Sequence, residues 1–292
     1  MSDLSVLRAG LAGLIGLVGA SLLAGGNAAA AETRRPPIYK KITKEQADEA
    51  DQFALNNAIA TVFHEAGHML ISEFSLPVLG REEDAADSLA VMLLLEGEDE
   101  DLNSIVEDFA NVWFLTAGLE ESREEDLAVW DSHGLSEQRA YNVVCLMLGK
   151  DEKRFKEFAE SIEFPSYRRE QCKGEYQELV ASWGRVLAPH EADKNDTIDF
   201  TIRYQPTNDR RLAYFREMAE ENEVLETVAA AFTGVFKLKD GIKLTARACG
   251  EPNAYWDSDA REMTLCYEDL QQSAQLDAQW YIDNPDEDED EE

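Results

Sequence analysis

Positive charge is what this chain has least of. Its 292 residues carry 27 Lys and Arg against 60 Asp and Glu, a net charge of −33. So acidic a balance repels nucleic acid and anionic membrane surfaces and favours solubility, which excludes a nucleic-acid partner. Cysteine is sparse too: Cys145, Cys172, Cys249 and Cys266 are the four, and none has C-x-x-C spacing. A thiolate metal cluster or a dithiol redox motif is therefore not expected, whereas an even count suits two disulfides in an exported chain. Long apolar runs are missing beyond the N-terminus. The stretch from Ala9 to Ala24 is short for a spanning helix and is followed by Ala29-x-Ala31, a cleavage-site pattern. Residues 1–31 are thus expected to be a signal peptide, and the protein exported, periplasmic or secreted, as a mature chain of about 261 residues with no stable membrane association. The leader's basic start is weak, Arg8 being offset by Asp3, so an uncleaved anchor is the alternative. No internal repeat is visible, and the sequence leaves the oligomeric state open.

Histidine is equally scarce, at four residues, which makes the placing of two of them informative. Thr61-Val-Phe-His-Glu-Ala-Gly-His-Met-Leu-Ile71 contains H-E-x-x-H as His64, Glu65 and His68, set among apolar residues that read as a buried helix. Burying two imidazoles and a carboxylate costs several kcal/mol unless something satisfies them, and a metal ion would. Residues four apart lie one turn above each other, so His64 and His68 can aim at one point. Two neutral imidazoles are good zinc ligands and leave room for a third ligand and a water, from which Glu65 could take a proton as general base. The competing reading is a pair of core histidines that meets the pattern by accident.

Around the motif the chain reads as mostly helical. Thr43-Lys-Glu-Gln46 has the form of a capping box that starts a long helix, which Pro77 ends. Gly67 inside it either allows close packing of another element or is incidental. A second helix opens in Gly80-Arg-Glu-Glu-Asp-Ala-Ala-Asp87, where Glu83 and Asp87 share a face. Glu83 supplies a third, anionic ligand for one zinc ion, and Asp87 an acceptor for the other N–H of a ligating histidine. First-turn acids also complement the helix dipole, and Glu82 and Asp84 are read as that. Helical patterning continues over Leu102–Leu119, a helix capped by Ser136 and closed by Gly149, and segments near Asp151–Ile162 and Tyr167–Leu187. His133, Arg139 and Tyr141 either line a cleft and hold a developing oxyanion or belong to an ordinary loop leading into that helix.

After Pro189 the pattern changes. Phe200, Ile202 and Tyr204 alternate like a half-buried strand, residues 210–236 look helical, and Lys239-Asp-Gly-Ile242 is a hairpin signal between two possible strands. Asn253–Trp256 and Met263–Cys266 read as strands joined by Asp257–Ala260. Sequence alone permits three disulfide pairings; Cys249 and Cys266, on neighbouring strands, are the favoured pair, which leaves Cys145 for Cys172. The expected class is α+β: a mainly helical zincin-like domain over residues 32–282, with a helical half at 43–188, a strand-containing half at 196–282 and an acidic disordered tail at 283–292.

His64-Glu-Ala-Gly-His68, Leu76-Pro-Val-Leu-Gly-Arg-Glu-Glu-Asp-Ala-Ala-Asp87, Asp131-Ser-His-Gly-Leu-Ser-Glu-Gln-Arg-Ala-Tyr-Asn142, Cys172-Lys-Gly-Glu-Tyr176, Cys249-Gly-Glu-Pro-Asn-Ala254 and Cys266-Tyr-Glu268 together resemble the zinc metallopeptidases of the DUF4344 family. The resemblance implies a gluzincin-type site, with His64, His68 and Glu83 as ligands, Glu65 as base and Asp87 behind them. It implies a peptide or protein substrate. The order departs from the family's, in which the Cys-Gly-Glu-x-Asn-Ala region precedes the H-E-x-x-H helix; here it follows, as in a circular permutation. The expected activity is peptide-bond hydrolysis. The alternatives are a zinc-retaining binding protein without turnover and a zinc hydrolase of non-peptide amides.

Overall fold

The computed structural model describes residues 35–97, 100–123, 127–193 and 198–285. The expected leader and the acidic run that closes the chain lie outside them. After a short 3-10 turn at Pro37–Lys41, nine α-helices follow among the described residues. They are α1 (Lys44–Phe74), α2 (Glu82–Glu96), α3 (Glu100–Ser122), α4 (Ser136–Lys150), α5 (Lys156–Ser161), α6 (Ser166–Leu187), α7 (Arg210–Glu221), α8 (Val224–Phe232) and α9 (Tyr267–Asp283). The strands are β1 (Thr201–Tyr204), β2 (Lys243–Arg247), β3 (Ala254–Asp257) and β4 (Glu262–Cys266). They form one sheet of order β1-β2-β4-β3, in which β1, β2 and β4 run parallel and β3 is an antiparallel edge strand. The class is α+β, the small sheet lying in the C-terminal third.

The 31-residue α1 is the spine. Thr43 caps it with a complete capping box: its hydroxyl accepts from Gln46 N–H, and the Gln46 side chain accepts from Thr43 N–H. From Ala50 to Ile71 nearly every residue of the helix is buried, whichever way it faces. It packs on α2 and α3 in one direction and on α8, α9, β3 and β4 in the other, so one continuous core spans both halves of the chain. At its far end Ser75 takes a left-handed conformation that stops the helix two residues before Pro77. There Glu73 receives a fork from Arg261, Nε to Oε1 and Nη2 to Oε2, both at 2.7 Å. Arg261 also donates to the carbonyls of Asp240 and Lys239, so one guanidinium joins the end of α1, the approach to β2 and the turn between β3 and β4.

Both expected disulfides form, Cys145–Cys172 with Cα atoms 5.0 Å apart and Cys249–Cys266 at 5.5 Å. They point to an oxidising, exported compartment. No helix among the described residues is long and apolar enough to cross a membrane.

Several local expectations need correcting. Ser136 does not cap α4: Leu135 is the capping position, and the Ser136 hydroxyl bonds Glu120 instead. Gly149 does not close that helix, which runs on to Lys150. A Cβ there would lie 2.4 Å from the Cys172 carbonyl oxygen, so the glycine serves the close approach of α4 and α6. Residues 151–155 form a turn, leaving α5 only six residues. The helical stretch from 210 divides at Glu223, whose φ is +52°. Lys239-Asp-Gly-Ile242 makes no hairpin: β2 follows it, but its neighbours are the parallel strands β1 and β4, and Asp240 is used to accept Asp199 N–H.

Candidate metal centre

Two helices bring the site together. His64 and His68 project from one face of α1, and α2 crosses that face with its first turns. Gly67 sets how near α2 can come: a Cβ there would stand 3.0 Å from Ala86 Cα and 3.2 Å from Ala86 Cβ. Of the two possibilities the sequence left open, close packing is the one observed. Ala86 lies between Glu83 and Asp87, so its contact with Gly67 delivers both carboxylates to the histidines.

The donors then converge. His64 Nε2 lies 3.3 Å from Glu83 Oε2, His68 Nε2 lies 3.2 Å from the same oxygen, and the two Nε2 atoms are 3.2 Å apart. These three ligand atoms lie within 4.8 Å of one another. Each histidine's other nitrogen is taken by a carboxylate: His64 Nδ1 by Asp87 Oδ1 at 2.7 Å, His68 Nδ1 by Glu82 Oε1 at 2.9 Å. With the ring proton held at Nδ1, the lone pair of each Nε2 is turned toward the shared point. Two imidazoles so oriented and one carboxylate fit a divalent ion that prefers nitrogen and oxygen donors. Asp87 is fixed in turn by Arg139, whose Nε and Nη2 donate to its two oxygens at 2.8 Å each. Arg139 lies flat on Trp113, its guanidinium carbon 3.5 Å from the ring centre.

The electrostatics follow from this crowding. Hydrogen bonds from His133, His64 and His68 hold Glu83 far below the ordinary carboxylate range. Desolvation alone would lower His64, yet bonds to Asp87 and Glu83 carry it up to about 9. Asp87 is likewise pushed up by burial but held at about 2 by His64 and Arg139. A cation bound here replaces the protons that these imidazoles take up in its absence. Glu65, 5 % exposed, is raised by burial, partly offset by the two imidazoles and by a hydrogen bond from Trp256 N–H.

That last bond places the sheet. Just before β3, Asn253 O accepts from Cys266 N–H, so by antiparallel alternation Ala254 and Trp256 turn their backbone groups away from β4, toward α1. The loop before β3 is anchored by the Cys249–Cys266 disulfide and by Glu268, whose carboxylate accepts from Cys249 N–H and Gly250 N–H. A cavity of about 240 Å³ opens between this edge and α1, bordered by His64, Glu65, His133, Arg139 and Ala254 among others.

Of the residues the sequence singled out, His64, Glu65, His68, Glu83 and Asp87 stand together. His133 joins from across the cleft: its half-exposed ring places Nε2 3.1 Å from Glu83 Oε2, while Asp131 Oδ1 holds Nδ1 at 3.0 Å. Arg139 borders the cavity with one edge of its guanidinium already committed to Asp87. Tyr141 does not line the cavity; its ring packs on Phe114 and Phe164. Two participants escaped the sequence reading. Glu82 was taken for a dipole-complementing residue and instead orients His68. Asp131 orients His133, and its position two residues earlier, a turn-forming spacing, was the signal for it.

A model of the DUF4344 family, described as "Putative metallopeptidase", matches residues 33–187 and 204–291. No curated protein and no solved structure matches the chain.

Proposed function

Because the chain belongs to the DUF4344 family of metallopeptidases, we propose that it is a zinc-dependent endopeptidase with a gluzincin-like site: His64, His68 and Glu83 as ligands to one zinc ion, and Glu65 as general base. The observation that carries this reading is the convergence of His64 Nε2, His68 Nε2 and Glu83 Oε2 on one point, with both Nδ1 atoms already bound to carboxylates. Zinc held there supplies Lewis acidity toward a water and toward the carbonyl to be cleaved.

The remaining work falls to the protein's own groups. Glu65 sits beside the ligands on the inner wall of the cleft, and its burial raises its affinity for a proton, as a general base requires. It takes a proton from the attacking water and passes it to the leaving amine. His133, oriented by Asp131, faces the site from the solvent side; its Nε2–H, which here meets Glu83 Oε2, turns to the oxygen on which charge develops once Glu83 is taken up as a ligand. Arg139, expected from sequence to do this, acts instead through Asp87, holding the carboxylate that orients His64. The outward edge of β3 at Ala254 aligns an extended peptide by backbone hydrogen bonds, as an added strand.

A Glu65→Gln variant tests the assignment. It should keep zinc at full occupancy by metal analysis and lose cleavage of a broad peptide library by at least about 100-fold. A wild type that cleaves no peptide in a Glu65-dependent way while retaining zinc would overturn the peptidase reading. A wild type that takes up no zinc would overturn the metal reading.

A further inference from the structure

The cavity beside the metal centre has two ends of different chemistry. At one end are Glu65, His64 and the β3 edge. From there it extends between α1, α3 and α9, where Phe109, Val112 and Leu276 give it apolar walls. Several polar groups on its border are acceptors. Asn57, only 2 % exposed, donates through Nδ2 to Phe53 O, while its Oδ1 has no partner. Asp269, on α9, has no hydrogen-bond or ion-pair partner among the described residues, and it lies close enough to Glu65 to feel its charge. The Thr116 hydroxyl gives its proton to Val112 O, so only its lone pairs are left for the cavity. Trp113 Nε1 is a buried donor on the border with no partner among the described residues and suits a main-chain carbonyl, and Asn253, Gln272 and Ser273 add side chains that can donate or accept.

Buried polar atoms are nearly always paired, so the orphaned Asn57 Oδ1, in a concave site that it shares with the Asp269 carboxylate, indicates a missing donor. A cavity with apolar walls that also presents a carboxylate and an unpartnered amide oxygen suits a long aliphatic stem with a cationic head. We propose that this cavity is the subsite for a lysine or arginine side chain of the substrate next to the scissile bond, with Asp269 as its charge partner and Asn57 Oδ1 as a neutral acceptor beside it. This deepens the peptidase reading and rests on it for the word substrate; the recognition of a cation does not.

Three further observations agree. Desolvation and the neighbouring Glu65 push the Asp269 carboxyl up to about 7, an unfavourable state that a guanidinium or ammonium in the cavity relieves. Asp269 takes no part in the converging set of His64, His68 and Glu83, so holding the metal does not account for its charge. A chain of net charge −33 also draws cationic peptides toward its surface.

The test has a binding arm and a turnover arm. n-Butylguanidinium and its neutral near-isostere n-butylurea are titrated into the full-length protein and into Asp269→Asn, followed by calorimetry or ligand-observed NMR. Wild type should prefer the cation by about tenfold or more, and Asp269→Asn should abolish the preference. Asn57→Leu, which leaves the charge in place, should weaken the cation by only about threefold. Equal binding of the two probes, an unchanged preference in Asp269→Asn, or no guanidinium binding at about 50 mM overturns the proposal. Asp269 has no partner to lose, so Asp269→Asn should melt no lower than wild type; if it does not fold, the Asn57→Leu titration and the wild-type comparison decide. In the turnover arm, the ratio of kcat/KM at lysine or arginine over norleucine sites should be about 100 for wild type and fall to near 1 in Asp269→Asn. Cleavage without a basic preference sinks the subsite and leaves the peptidase standing. Charge-dependent binding without cleavage does the reverse.

Discussion

Arg139 touches no proposed ligand, yet its replacement should cost metal affinity. Asp87 accepts three hydrogen bonds at 2.7–2.8 Å, one from His64 and two from Arg139, and its side chain is 13 % exposed against 9 % for Arg139. In Arg139→Met the methylene stem is roughly conserved and the fork is lost. Breaking a buried pair by deleting one partner costs about 3–5 kcal/mol of stability. Asp87 has a way to reduce this: without the guanidinium only His64 offsets its burial, so its carboxyl moves up from about 2 and binds a proton more readily. A protonated Asp87 orients His64 poorly, and losses of this kind lower metal affinity by about 10- to 100-fold. The assay is zinc competition against a chelating dye, with thermal unfolding of the metal-free protein alongside. Asp87→Asn and the double variant complete a cycle. If Arg139 acts through Asp87, the double variant loses no more zinc affinity than Asp87→Asn alone. Arg139→Met binding zinc within about twofold of wild type, while Asp87→Asn does not, would refute the relay.

Gly67→Ala should push α2 off α1 by a few tenths of an ångström, lowering stability by about 1–3 kcal/mol and zinc affinity with it, while far-UV circular dichroism keeps its helical intensity. Glu82→Gln should weaken zinc less than Asp87→Asn, by about threefold, because Glu82 is half exposed and its bond to His68 competes with water. Asp277 carries a pH prediction: desolvation, Asp108 and Glu49 hold its carboxyl up at about 7. A folded pKa above the unfolded one contributes stability that is full at low pH and lost as pH rises through about 7. Asp277→Asn should therefore stabilise the protein at pH 8 by about 1–2 kcal/mol, have little effect at pH 4, and flatten the dependence of Tm on pH between them.

What could be read from the sequence was what is written locally. The capping box at Thr43, the two histidines one turn apart, and Glu83 and Asp87 one turn apart are each decided within a few residues, and the structure forms them as written. The helix-to-helix contact that gives these pairs a common target was visible only as a glycine in an unfavourable place. Harder to read was anything whose meaning depends on a partner far along the chain. Glu82 is a first-turn acid like any other until α2 is laid against His68. Lys239-Asp-Gly-Ile242 has hairpin residues, but the strand it precedes pairs in parallel with neighbours that arrive from elsewhere. Arg139 looks like a cleft residue because the carboxylate that claims it lies 52 positions away. Gly149 has the composition of a helix stop and the role of a close approach, and only Cys172 across from it distinguishes the two.

The fork between Arg261 and Glu73 joins positions 188 apart in sequence, and this imposes an order in time. As the chain emerges from its N-terminal end, α1 and α2 come early and carry every proposed ligand with them. The edge strand and the acidic wall come last. A half-delivered chain would therefore hold the proposed ligands but lack both the strand edge and the packing on the other side of α1. The spine is finished only when Arg261 reaches Glu73 and fastens the strand edge to it.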